Sequence, residues 1–197
     1  MTHQATRSAL DDFAASRVML VLAIAWGLAE ATFFFIVPDV LLTLIACRAL
    51  KPAMRATVAA LVGALAGGAL MCAFGSREPG SARAFLDHVP AISPNLINRV
   101  AGQISQSGLL AVLLGPLKGI PYKIYAVEWG AQNKNITALL LISIPARYIR
   151  FFLASAAARG IARLIEPLTN HRAAIEMSIL AVIWVAFYCY YFAHFGW

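Results

Sequence analysis

The chain has 197 residues, 61% of them hydrophobic and only 13% charged, with 16 Lys and Arg against 9 Asp and Glu for a net charge of +7. A soluble domain carries about a quarter charged residues, so this chain has too little polar surface to coat a sphere of its size, and its long apolar blocks indicate an integral membrane protein. Nucleic-acid binding is set aside, because the Lys and Arg form no stripe and gather instead at the ends of apolar blocks, where positive charge marks the cytoplasmic side.

Residues 1–17 form a polar N-terminal segment, and the apolar block after it is far longer than a signal-peptide core, so an uncleaved anchor is expected. That block, Val18 to Cys47, is thirty residues long. As one straight helix it would measure about 45 Å against a hydrocarbon core of about 30 Å. Pro38 disfavours helix at Val37. Arg7 and Arg17 precede the block, and Arg48, Lys51 and Arg55 follow it. A single crossing would put one basic cluster on the wrong side; a re-entrant hairpin broken near Pro38-Asp39 puts both in the cytoplasm. The hairpin is the expectation. The aromatics Phe33, Phe34 and Phe35 beside the break read as packing residues.

Ala56 to Phe74 is a span of ordinary length containing Gly63-Ala64-Leu65-Ala66-Gly67, a G-x-x-x-G pattern. It is either a close helix contact or chance in an Ala/Gly-rich run. A polar connection is expected from Ser76 to about Pro94. Asn95 to Gln106 then sets Leu96, Ile97, Val100 and Ile104 at helical spacing, which predicts a short interfacial helix.

The next block, Gly108 to Ala131, reads "GLLAVLLGPLKGIPYKIYAVEWGA". Pro116, Pro121, Gly115 and Gly119 argue against continuous helix and predict a second hairpin, with Lys118 and Lys123 at its break. Tyr122 and Tyr125 could add hydroxyls there or be interfacial aromatics. Ile136 to Ala158 can span, with Arg147 and Arg150 three apart and so on one face. Arg159, Arg163 and Arg172 mark a cytoplasmic loop. A closing span runs from about Ala173 to Phe195, its outer end enriched in Trp184, Tyr188, Tyr190, Tyr191 and Trp197 like an aromatic belt. Cys47, Cys72 and Cys189, odd in number and without C-x-x-C, read as small reduced core residues rather than disulfides or metal ligands.

The expected fold is therefore an all-α integral membrane protein with two re-entrant helical hairpins and transmembrane helices in an inverted-repeat arrangement. Its organisation is a polar segment (1–17), a membrane transport domain (18–160), and a cytoplasmic loop with a closing helix (161–197). Inverted repeats of broken helices are the plan of many secondary transporters.

Charges within the apolar blocks locate the candidate site. A charged side chain at the centre of a lipid-facing helix costs about 2.5–3.5 kcal/mol on insertion scales. Glu30, Asp39, Lys118, Lys123, Arg147 and Arg150 must therefore face protein or water. Lys118, Lys123, Arg147 and Arg150 suit a phosphate, Arg through its bidentate fork and Lys as a mobile point charge. Snorkelling to the interface is the alternative, strongest for Arg150 and Lys123. Glu30 and Asp39 are proton-coupling candidates, or static partners of a cation; Asp39 could also cap the helix after the break. His3, His88, His171 and His194 make no metal pair, and no P-loop, G-x-S-x-G or paired-Asp motif is present. No enzyme, metal or cofactor is expected.

The order of the acidic residue, Pro-acidic pair, G-x-x-x-G, "GPLKGIPYK" and "ARYIRFF" resembles the DedA superfamily, also called the VTT or SNARE-associated Golgi protein domain, nearest its small YqaA-like branch. The resemblance covers residues 20 to 160. Tyr122 stands where a glycine is common, and Lys118 and Lys123 where arginine is common. The resemblance implies a re-entrant-hairpin fold that moves lipid between leaflets, with polyprenyl phosphate or phospholipid as cargo and proton dependence in some members. It matches Glu30 and Asp39 to the family's acidic positions and Lys118, Lys123, Arg147 and Arg150 to its basic ones. The expected partner is a membrane lipid and the expected location a bacterial inner membrane; the residues leave oligomeric state open. A structural or assembly protein with static ion pairs, a small-solute or ion transporter, and a small enzyme acting on lipid phosphates are the competing functions.

Overall fold

The computed structural model describes residues 16–165 and 172–195. The polar N-terminal segment up to residue 15, most of the linker after Ile165, and Trp197 lie outside the described residues. Among the described residues every regular element is a helix. In chain order these are α1 (Arg17–Thr32), α2 (Asp39–Arg48), α3 (Leu50–Arg77), α4 (Pro79–Asp87), α5 (Pro94–Ser107), α6 (Leu109–Leu114), a 3-10 turn (Pro116–Lys118), α7 (Tyr122–Ala131), α8 (Ile136–Ile165) and α9 (Arg172–Phe195). Segments Leu50–Arg77, Ile136–Ile165 and Ile175–Ala193 are long and apolar enough to cross a membrane.

The long first block is broken where its proline predicts. α1 ends at Thr32, whose hydroxyl donates back to Leu28 O at 2.9 Å, and Pro38 opens α2 with the fixed φ of −60° that a helix start accepts. Trp26 Nε1 donates to Ile36 O at 3.0 Å, tying the irregular stretch back to α1. Phe34 and Phe35 pack with Trp26, Tyr188 and Phe192, whereas Phe33 is exposed rather than a packing residue. The second block also breaks as its Pro and Gly content demands. Gly119 sits at φ +78°, a left-handed conformation that a side chain resists.

α3 is the centre of the bundle, with α1 and α7 both packed along it. The G-x-x-x-G pattern is a close contact: a Cβ on Gly63 would collide with the carbonyl of Ile24, and one on Gly67 would press on Ala31 and Leu28. One turn beyond Cys72 the device is repeated, with Gly75 against the backbone of Val127 and Gly130 against that of Cys72. Small residues thus bring three backbones together where lipid offers no hydrophobic drive. α2 packs on α8. Its contacts there, Arg150 to Asp39, Cys47 to Ala158 and Arg159 to Arg48, share a sequence separation of 111. A constant separation means that the two helices run in the same direction.

Three expectations need correction. The connection after Ser76 is not simply polar loop: Pro79 at the first helical position starts α4, which buries Ala82 and Leu86. The loop expected at Arg159 and Arg163 is helix, because the Ala-rich run after Leu153 favours continuation and carries α8 to Ile165. Of the three thiols, all free, Cys47 and Cys72 are buried but Cys189 is exposed on α9. The helix expected near Asn95–Gln106 is present as α5 and buries the four named apolar residues.

Candidate functional site

Charged and polar groups converge on the break at residues 33–38. Glu30 closes α1 on one side of it and Asp39 opens α2 on the other, both buried. α8 clamps both ends. Arg147 pairs with Glu30, and one turn later Arg150 NH2 lies 2.7 Å from Asp39 Oδ2. The three-residue spacing puts both guanidiniums on one face of α8, and that face meets the break. Asp39 makes no side-chain cap; Pro38 is the N-cap, and the Asp39 carboxylate goes to Arg150.

Lys123, in the first turn of α7, donates from Nζ to Phe34 O at 3.0 Å. Its ammonium is therefore buried against a carbonyl of the first break, while each arginine holds a carboxylate. Tyr122 lies beneath Arg147, whose guanidinium carbon is 4.7 Å from the ring centroid, and Phe151 supports both arginines at 5.3 and 5.2 Å. Tyr122 OH and Ser143 Oγ are 2.9 Å apart. Asp39 Oδ1, Arg147 Nε, Arg147 NH1 and Arg150 Nε are buried without a hydrogen-bond partner in the protein. A chamber of about 50 Å³ opens among Glu30, Val37, Lys123, Arg150 and Tyr191. It has room for about one or two water molecules, each taking roughly 30 Å³.

Five of the six residues predicted for the site thus meet. Lys118 does not: it is exposed in the 3-10 turn and is not part of the chamber lining. Snorkelling does not describe Lys123, which is 2% exposed. Tyr122 and Tyr125 are buried rather than interfacial, Tyr125 OH donating to Gln103 Oε1 at 2.8 Å. Two of the belt aromatics also turn inward: Trp184 Nε1 donates to Thr43 Oγ1 at 3.1 Å, and Tyr188 OH accepts from Val37 N at 2.9 Å.

A second buried carboxylate went unread. Glu128 on α7 is fully buried and takes both Arg83 Nε and NH2 at 2.7 Å, joining α4 to α7. The signal was there: one carboxylate in the apolar run "YAVEWGA" is as anomalous as Glu30. Its partner, outside the apolar blocks, had no such mark. The hydrogen bonds from Glu128 hold the Arg83 guanidinium above its ordinary pKa. Arg83→Gln is expected to destabilise the fold by about 1–2 kcal/mol, less than a fully buried pair because the arginine is half-exposed; thermal unfolding in detergent would measure it, with no loss as the contrary result.

The fold and site together define an all-helical protein with three helices apolar and long enough to cross a membrane, and a buried ionic cluster at a helix break. Comparison with protein-family models, with curated proteins and with solved structures finds no match.

Proposed function

We propose that this chain is a membrane transporter that moves a lipid with an anionic phosphate headgroup, a polyprenyl phosphate or a phospholipid, between the leaflets of a bacterial inner membrane. The observation that carries this function is Lys123. With Glu30 and Asp39 paired to Arg147 and Arg150, the cluster holds one basic group more than acidic ones, and that extra ammonium is buried against a carbonyl. A buried charge without a counter-charge is costly, and an arriving anion relieves the cost. The guanidinium nitrogens without partners add donors of the kind a phosphate takes.

Packing relations support the two-hairpin, inverted-repeat plan of the DedA and VTT superfamily. The first arms, α1 and α6, pack on the long helices that follow them, α3 and α8; the second arms, α2 and α7, pack on the other unit's long helix, α8 and α3. Contacts from Ile24 to Gly63 and from Leu28 to Gly67 run α1 in the direction of α3. A chain that reverses at both breaks produces this exchange. Glu30 and Asp39 would respond to protons when the arginines turn to the phosphate.

The test is leaflet exchange of labelled polyprenyl phosphate or phospholipid in proteoliposomes. Lys123→Met is expected to lower the rate roughly ten- to a hundredfold, the contribution of one charge-assisted hydrogen bond. An unchanged rate would remove Lys123 from the function. One observation favours a structural role instead: both carboxylates are already paired, as in a static clamp. A static clamp predicts that Lys123→Met leaves both exchange and complementation intact.

A further inference from the structure

Beside the polar chamber lies a second space, larger and apolar. It is an open-sided groove of about 660 Å³ lined by Ile36, Val40, Trp184, Tyr188, Cys189 and Phe192 among others, within the size of ordinary ligand pockets. The groove exists because α9 is held to the bundle at few points. Two hydrogen bonds, Trp184 to Thr43 and Tyr188 to Val37, fix it against α2 and the break, and its outward face remains exposed at Val182, Val185 and Tyr190.

The same two segments wall both spaces. Phe35 and Val37 line the chamber while Ile36 between them lines the groove; on α9, Phe187 and Tyr191 line the chamber while Tyr188 and Phe192 line the groove. The partition is thus one side chain thick. Its seam is the Val37–Tyr188 hydrogen bond, with Phe35 packed edge-on to Tyr188 and Phe192 at 6.3 and 5.6 Å. One side carries Lys123 and Arg150, and the other has only hydrocarbon and aromatic surface with a single hydroxyl at the seam.

We propose that this groove seats the hydrocarbon chain of a monoalkyl or isoprenoid phosphate whose headgroup reaches the chamber through the Val37–Tyr188 seam. The proposal rests on the phosphate-binding role given to Lys123 above. An amphiphile with one charged end and an apolar chain satisfies both spaces together. A free phosphate would leave the groove unused, and a neutral chain would leave the lysine uncompensated. Opening the seam exposes one N–H and one hydroxyl, both donors to a phosphate oxygen.

Cys189, free and exposed within the groove lining, supplies the readout. The full chain in detergent is treated with a maleimide, and alkylation of Cys189 is followed by peptide mass spectrometry in decyl phosphate, decanol or inorganic phosphate. Decyl phosphate is expected to protect Cys189 at concentrations at least about tenfold below those needed of decanol. Inorganic phosphate is expected not to protect, and Lys123→Met to reduce decyl phosphate to the level of decanol. Equal protection by decanol and decyl phosphate would make the groove an ordinary lipid-facing surface and overturn the proposal. Thermal stabilisation by decyl phosphate that needs Lys123, without protection of Cys189, overturns the groove alone and leaves the phosphate site standing. Absence of any Lys123-dependent stabilisation overturns both. Helical content of the variant, checked by circular dichroism, separates lost binding from lost fold.

Discussion

Arg147→Met is expected to destabilise the protein by about 3–5 kcal/mol, the cost of leaving one partner of a buried ion pair alone. Arg147 is 1% exposed, with Glu30 beside it and Tyr122 and Phe151 against its guanidinium. The substitution removes the charge while keeping much of the side-chain volume, so the loss should come mainly from Glu30, stranded at the end of α1. Glu30→Gln should likewise destabilise, by stranding Arg147 instead. The double variant is then expected to be more stable than the sum of the two losses, by a coupling of about 1–3 kcal/mol. Denaturation in mixed micelles would measure all three. If the single losses simply add, the pair is not coupled and the clamp at the break has been misassigned. A coupled pair bears on function because α8 can release the break only by exchanging these bonds for others, and a phosphate offers the exchange.

Gly63→Leu is expected to abolish the native bundle. Any Cβ at this position collides with the Ile24 carbonyl and crowds Leu28 N. Both are backbone, so no rotamer change relieves the clash and α1 must leave α3. Gly63→Ala already needs a backbone shift, with a cost of about 1–3 kcal/mol or more, as for other overpacked sites. Gly102→Ala on α5 is the matched control: no atom lies within 4 Å of its added Cβ, and helix propensity favours alanine by about 1 kcal/mol. The control should therefore gain stability while Gly63→Ala loses it. Size-exclusion profiles and thermal midpoints of the three variants give the comparison; a stable, monodisperse Gly63→Leu would disprove the close packing of α1 on α3.

Much of the site was legible because charge in an apolar block is a local anomaly. Glu30, Asp39, Lys123, Arg147 and Arg150 all stood out for that reason, and all five meet at one break. Lys118 carried the same mark but is exposed. In a turn beside two glycines and a proline, nothing in the residues says whether a side chain enters the bundle or leaves it. Glu128 carried the mark as well, yet its partner Arg83 lies in a stretch whose charges balance in the sequence, so the pair could not be read. The aromatics of α9 looked like a belt because Trp and Tyr serve equally at an interface or as buried donors. Only contact with Thr43 and Val37 distinguishes the two for Trp184 and Tyr188.

The residues alone determined where helix stops: at Pro38, and between Gly115 and Pro121. A missing N–H, a fixed φ and a left-handed glycine act within a few positions and need no distant partner. They also determined that a membrane is the solvent, since composition and block length are sums over the chain. Which cation meets which carboxylate was decided by tertiary structure. Arg147 and Glu30 are 117 residues apart, and Lys123 and Phe34 are 89 apart. Their meeting depends on how closely α1 and α7 approach α3 and on the register of α2 along α8. Those quantities are set by glycines packed against backbone on helices far apart in the chain, and no local pattern encodes the register.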